Sequence, residues 1–345
     1  DATTAGFGDH ARYFRVQGLN PDGTPNPGHE RLLDVDNLID FMIIDYYTGD
    51  RDGPGSRFGN IPNNTYAIFN RVSPGGWKWF QHDSEHTLGV SNSETNMVTP
   101  FTMAGAQWRY FNPQWLHEQL ASSNANYRVT FADHVYRHFF NDGLLTPESS
   151  AERIQRRAEQ IETAIIAESA RWGDAKRSRP FTEEDWQSEV NRLLGNYLPS
   201  RTQVVLSQFK SVGWYPNVDP PLFNQHGGHV AAGFELQVVG PAATSYYTLD
   251  GNDPRSVTAT GAGAVSSSAA RYAGPIPLPQ STQVKVRTLS GNQWSALNEA
   301  VFAVGPVAES LRISEIMYHP AETGHPDDPN AEYIELTNVG AETIH

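Results

Sequence analysis

"GWKWFQHDSEHTLGV", residues 76–90, begins like a strand and ends like a loop. Trp77, Trp79 and Phe80 suit a half-buried pleated surface. His82, Asp83, Glu85 and His86 then follow at once. The stretch just before it, "YAIFNRVSPG" (66–75), reads as a first strand running into a Pro-Gly-Gly turn. The pair predicts a β-hairpin whose second strand pins an acidic loop in place.

A helix should precede that hairpin. "DNLIDFMIIDYYTGD" (36–50) carries apolar residues at Leu38, Ile39, Met42, Ile43 and Tyr46, a helical repeat, with Asp36 as N-cap and Gly49 as stop. A glycine-rich loop, "TGDRDGPGSRFGNIPNN" (48–64), joins helix to hairpin. If this loop meets the loop after Phe80, then Asp50, Asp52, Asn63, Asn64, Asp83 and Glu85 converge. Clustered hard oxygen ligands suit Mg²⁺ or Ca²⁺. One carboxylate left free of metal can position or deprotonate a hydroxyl, a division of labour used in phosphoryl transfer. The competing reading is that Asp and Asn are in these loops because they make turns.

The next hundred residues read as helices. "NPQWLHEQLASS" (112–123) is one, and "YRVTFADHVYRHFFNDG" (127–143) another, ending at Gly143. In "TPESSAERIQRRAEQIETAIIAESARWGD" (146–174), Thr146 and Pro147 suit N-cap and N1, and Ile154, Ala158, Ile161, Ile165 and Trp172 form a stripe. "TEEDWQSEVNRLLGNYLP" opens on a near capping box, Thr182 with Asp185, and "SRTQVVLSQFKSVG" closes the series. From about Gly213 the helical period disappears. "GFELQVVG", "SYYTLDG", "TQVKVRTLS" and "NEAVFAV" alternate like the strands of a β-sandwich. "GPVAES" reads as a linker to two further strands, "LRISEIMYHP" and "AEYIELTNVG", across an acidic loop.

With 345 residues, two or three domains are expected. A net charge of -14 argues against nucleic acid or an anionic membrane as the main partner, and equally serves solubility. The absence of cysteine excludes disulfides, thiolate metal sites and cysteine nucleophiles. No apolar run reaches the roughly 18–20 residues of a membrane span. The start at Asp1 without Met and the stop within a strand-like segment suggest a piece of a longer protein.

Three weaker candidate sites stand beside that of Asp52 and Asp83. His134 and His138 stand at i and i+4, the spacing of paired metal ligands, yet Phe139 and Phe140 follow and a packed pair is the simpler reading. His319, His325, Asp327 and Asp328 offer oxygen and nitrogen ligands for a weak Ca²⁺ site, and a solvated acidic loop is the simpler reading. His226 to His229, "HGGH", reads as a turn. No P-loop, dinucleotide fingerprint or nucleophile elbow is present.

The order "LLDVDNLIDFMIIDYYTGDRD", "NNTYAIFNR", "GGWKWFQHDSEHTLG" resembles the spore-coat-protein-H (CotH) kinase family, in its large planctomycete-type form, over residues 1–216. The resemblance implies a multidomain chain. Its first part would be an α+β atypical protein-kinase-like fold, a mostly helical C-lobe, with Ig-like β-sandwich domains after it. "YYTLDGNDPR", "YAGPIPL" and "TQVKVRTLSGNQWSALNEAVF" resemble a chitobiase or β-hexosaminidase C-terminal domain, residues 217–305. Residues 308–345 resemble the start of a lamin-tail domain.

By that resemblance Asp52 faces the phosphoryl acceptor, Asn64 and Asp83 hold metal, and Glu85, Asn63 and Asp50 are further metal or supporting positions. Mg²⁺ or Mn²⁺ is implied as cofactor and ATP as donor. Asp50 stands where the family usually has Asn, and His82 where Trp is commoner. The family's small lobe and phosphate-pairing lysine would precede Asp1, so this segment alone is expected to be inactive. The implied function is metal-dependent transfer of phosphate from ATP to Ser, Thr or Tyr of an exported protein, outside the cell or at its surface. Two alternatives stand beside it. One is a non-catalytic surface or adhesion protein with a degenerate kinase lobe. The other is a carbohydrate-associated module.

Overall fold

A computed structural model describes residues 6–56, 58, 61–90, 96–102, 112–175, 177–240, 244–258, 261–318, 320–321, 324 and 332–341. The chain divides into two compact units. The first comprises residues 1–219 with 256–264 and 290–297, and the second comprises 220–255, 265–289 and 298–345.

The first unit is mainly helical. After a short helix α1 (His10–Arg15), α2 (Val35–Thr48) runs through its core. The sequence predicts one apolar face for α2, but the structure buries it nearly all round, adding Val35, Phe41, Asp45 and Tyr47 to the expected set. A helix apolar on most sides is a central helix. Leu38, Ile39, Met42 and Ile43 have no exposed surface, and each such burial stabilises by roughly 1.5–3 kcal/mol. The N-cap is Asp34 rather than Asp36. Asp34 is extended and accepts from the Asn37 N–H, while Asp36 already lies in the first helical turn. Gly49 ends the helix at φ 66°, a left-handed conformation that favours glycine.

The predicted hairpin forms as β1 (Thr65–Ile68) and β2 (Lys78–Gln81), antiparallel, from Thr65 opposite Gln81 to Ile68 opposite Lys78. Behind it follow α3 (Pro113–Ser123), α4 (Ala125–Phe139), α5 (Pro147–Trp172), α6 (Glu183–Arg192) and α7 (Leu198–Ser211). The expected caps are present at Thr146 and the Thr182–Asp185 box, and Asn112 caps α3. Helix α4 stops at Phe139, short of Gly143. The α5 stripe at Ile154, Ala158, Ile161 and Ile165 is only half-buried, and Trp172 is exposed. α6 and α7 are joined by a π-helical turn, Leu193–Tyr197, just before Pro199. Proline has no N–H for an ordinary helical bond, and a wide turn absorbs the missing donor.

In the second unit the main sheet has the order Ala270–Arg271, Thr244–Thr248, Thr282–Ser290, Asn298–Val304, Gly228–Val230. All its pairings are antiparallel except the last. Two short pairs, Ile276–Pro277 with Glu235–Leu236 and Leu222–Phe223 with Val238–Val239, contribute to the same core. That core is Val230, Leu236, Val238, Ile276, Leu278, Val284, Val286, Ala300 and Phe302. Leu311–Met317 and Tyr333–Asn338 form a separate antiparallel pair. Among the described residues, no helix is long and apolar enough to cross a membrane.

Candidate active site

The site begins where α2 ends. Four main-chain carbonyl bonds brace this end. Arg201, with no exposed surface, donates from Nε to the Tyr47 carbonyl at 2.6 Å and from Nη2 to that of Tyr46. The Tyr197 hydroxyl reaches the carbonyls of Tyr47 and Thr48, each at 3.0 Å. A cation on carbonyls at a helix C-terminus satisfies orphan acceptors and opposes the helix dipole. Thus α7 fixes the point from which the glycine-rich loop departs.

The two loops do meet. Leu88 N–H donates to the Thr48 carbonyl at 2.7 Å, and Arg51 N–H to the His86 carbonyl at 3.2 Å. Within this frame Asp52 is buried and takes three side-chain donors. Ser56 Oγ donates to Oδ1 at 2.6 Å, and Asn63 and Asn64 Nδ2 donate to Oδ2 at 2.9 and 3.2 Å. Asn64 also donates to the Asp83 carbonyl at 3.1 Å, tying the second loop to the first. Both Asn64 and Asp83 have positive φ, 43° and 47°, a region where Asn and Asp are enriched among non-glycine residues.

Asp50 accepts the Asp52 N–H on Oδ1 at 2.9 Å, so it orients the residue expected to face the acceptor. Its Oδ2 is buried without a hydrogen-bond partner, and so is Oδ1 of Asp45. Both oxygens press on Gly53, where a Cβ would come within 2.7 Å of Asp45 Oδ1 and 3.2 Å of Asp50 Oδ2. Burial, and next the charge of Asp50, push the Asp45 carboxyl well above the usual range. Burial also raises Asp50, helped by the charges of Asp52 and Glu85 and opposed by the Asp52 N–H and His86.

The expected residues are thus placed as follows. Asp52, Asn63 and Asn64 are hydrogen-bonded together, and Asp50 lies directly behind Asp52. Asp83 joins through its carbonyl, with an exposed side chain. A carboxylate oxygen of Asp52, one of Glu85 and a ring nitrogen of His86 lie within 4.8 Å of one another. This donor set fits a hard divalent cation, and the imidazole inclines it from Mg²⁺ towards Mn²⁺. An open depression of about 300 Å³ lies alongside, lined by Pro62, Asn63, Asn64, Thr65, Tyr66 and His82. The described lysines Lys78, Lys210 and Lys285 pair with Asp34, Asp219 and Glu299.

Sequence reasoning missed Asp45, Ser56 and His86. Asp45 occupies a helical position where burial depends on surrounding elements, and Ser56 is one small residue in a glycine-rich loop. His86 had a detectable signal, its place directly after Glu85, the last expected metal or supporting position.

The weaker candidates resolve differently. His226 bonds the Asn298 side chain at 3.0 Å and His229 the Gly305 carbonyl, and "HGGH" is not simply a turn: after a bend at Gly227 it enters the Gly228–Val230 strand of the main sheet. His319, His325, Asp327 and Asp328 lie outside the described residues. His134 and His138 both meet Asp40.

A family model described as CotH kinase protein matches residues 17–205, more than half of the chain. A second, described as Fn3 associated, matches residues 234–297. No curated protein matches the chain.

Proposed function

The chain belongs to the CotH kinase protein family, and on that premise we propose that it carries the acceptor side of a metal-dependent phosphotransferase site. The observation that carries this reading is the triple hydrogen bonding of Asp52 by Ser56, Asn63 and Asn64. A carboxylate held by three donors, at the mouth of two crossing loops, is oriented in advance for one partner.

In this reading Asp52 accepts the proton of an acceptor hydroxyl as that oxygen attacks the γ-phosphorus of ATP. The bond from the γ-phosphorus to the bridging oxygen breaks, and ADP leaves. Asp83 and Asn64, with Glu85, His86 and Asp50 in support, would hold Mg²⁺ or Mn²⁺. Such an ion supplies neutralisation of phosphate charge. Asp50 keeps the Asp52 backbone in place through the Asp52 N–H. The depression beside Asn63 and His82 offers room for part of a nucleotide or acceptor. The proposed acceptor is Ser, Thr or Tyr of an exported protein, at the cell surface or outside it. That proposal rests on the resemblance to multidomain family members carrying chitobiase-type and lamin-tail modules.

The test is transfer of γ-phosphate from ATP with Mg²⁺ or Mn²⁺, using the full-length gene product, for wild type and Asp83→Ala. Metal-dependent labelling lost in Asp83→Ala supports the reading. Labelling that survives the substitution moves the metal to the Asp52–Glu85–His86 grouping. No labelling, together with no nucleotide binding by calorimetry, favours a non-catalytic surface role. One observation favours that second reading: the buried, unpartnered oxygens of Asp45 and Asp50 crowd the loop that presents Asp52.

A further inference from the structure

Asp40 lies in the second turn of α2, facing α4. Its Oδ1 is 2.7 Å from His134 Nδ1 and 3.0 Å from His138 Nε2. The two histidines stand one turn apart on α4, and one ligand atom from each of the three residues lies within 4.8 Å of the others. At Zn–N and Zn–O bonds of 2.0–2.1 Å, the ligand atoms of a tetrahedral site are about 3.3 Å apart. The grouping therefore needs only small side-chain adjustments to close on an ion. The other nitrogen of His134, Nε2, is 3.3 Å from Asp36 Oδ1. A carboxylate on the far side of a ligating imidazole fixes its tautomer and leaves the near nitrogen for the metal.

We propose that Asp40, His134 and His138 form a binding site for a divalent transition-metal cation of the zinc class, with Asp36 holding His134 from behind. Charge supports the choice. Two neutral imidazoles with the carboxylates of Asp36 and Asp40 balance a dication. Ligand type supports it as well. Paired imidazoles suit zinc, nickel or copper, whereas Mg²⁺ and Ca²⁺ prefer oxygen. Access is from one side, since His134 is buried while the side chains of Asp40 and His138 are 42% and 19% exposed. The bound ion would cross-link α2 to α4, two turns before the end of α2 that presents the Asp50–Asp52 loop. The site is separate from the grouping at Asp52 and does not depend on the phosphotransferase reading.

The test uses the full chain, stripped with chelator, at pH 8, where the proton competes less for imidazole than at neutral pH. Zn²⁺ is titrated by calorimetry and melting temperature, and Co²⁺ by visible absorption. The expected result is one equivalent bound at this site, a melting temperature raised by several degrees, and a Co²⁺ band typical of four nitrogen and oxygen ligands. Equimolar Mg²⁺ should give none of these. His138→Gln and Asp40→Asn, both at partly exposed positions, should weaken Zn²⁺ binding at least tenfold and remove the Co²⁺ band. The same losses should appear when His138→Gln is made in a Glu85→Gln background, where the grouping at Asp52 is already disabled. The proposal is overturned if wild type shows no Zn²⁺ response. It is equally overturned if His138→Gln binds as wild type does, or if Glu85→Gln alone abolishes binding.

Discussion

Asn37 and Trp79 hold each other twice. Asn37 Oδ1 accepts the Trp79 N–H at 2.6 Å, and Asn37 Nδ2 donates to the Trp79 carbonyl at 3.2 Å. A side chain at the start of α2 thereby imitates a neighbouring strand and fixes β2 against the helix. The loop that leaves β2 two residues later carries Asp83, Glu85 and His86. Asn37→Ala should therefore cost about 1–3 kcal/mol, because it orphans two main-chain groups. Denaturant unfolding reads the loss, and an unchanged midpoint would show that β2 is held by its aromatic packing alone.

Asp52→Asn keeps the size of the side chain and removes its capacity to take a proton. Phosphate transfer by the full-length protein should fall by about 10²–10⁴-fold, with the melting temperature within a few degrees of wild type. Activity at wild-type level in a folded Asp52→Asn protein would remove Asp52 from the chemistry.

Gly53→Ala probes the crowding beneath that residue. The added methyl would meet Asp45 Oδ1 at 2.7 Å and the Asp50 carboxylate at 3.2 Å, so the loop must shift. Overpacking of this kind costs about 1–3 kcal/mol, and transfer should fall with it. Gly75→Ala is the control, because nothing lies within 4 Å of a Cβ there.

Acid should weaken the second unit through one ion pair. Arg287, with no exposed surface, grips Asp253 at 2.7 Å through both Nε and Nη2. Burial works to raise the Asp253 carboxyl, but the charge and hydrogen bonds of Arg287 outweigh it and the net shift is downward. A carboxylate depressed in the folded state adds stability above its unfolded pKa of 3.8 and loses it as pH falls through the lower, folded value. Asp253→Asn should be less stable than wild type at neutral pH, and the gap should close below about pH 4. Thermal melts at stepped pH read both limbs.

His117 makes the first unit acid-sensitive by the opposite charge. It is fully buried, touches the Tyr127 hydroxyl at 2.7 Å, and its pKa is lowered by burial to about 3. Between pH 6.5 and about 3 the unfolded chain therefore binds a proton that the folded chain refuses, and stability falls with falling pH. His117→Gln should flatten that slope in pH-dependent unfolding, whatever it costs at neutral pH.

The sequence by itself determined the elements whose signals are local. The period of "DNLIDFMIIDYYTGD", the strand patterns on either side of "SPGG" and the caps at Thr146 and Thr182 each state their structure within a few residues, because helix and strand geometry repeats over that distance. The order of motifs around Asp52, Asn64 and Asp83 was legible only as a family resemblance. Only the tertiary structure decided what those elements enclose. It buried Asp45 and left its Oδ1 unpartnered, put Ser56 on Asp52, and gave Asp83 a tie through its carbonyl while leaving its side chain exposed. It also drew Asp40 onto two histidines more than ninety residues away in the chain. Burial and partnership of a polar side chain depend on atoms brought in by distant segments. A pattern that repeats every few residues carries no information about them.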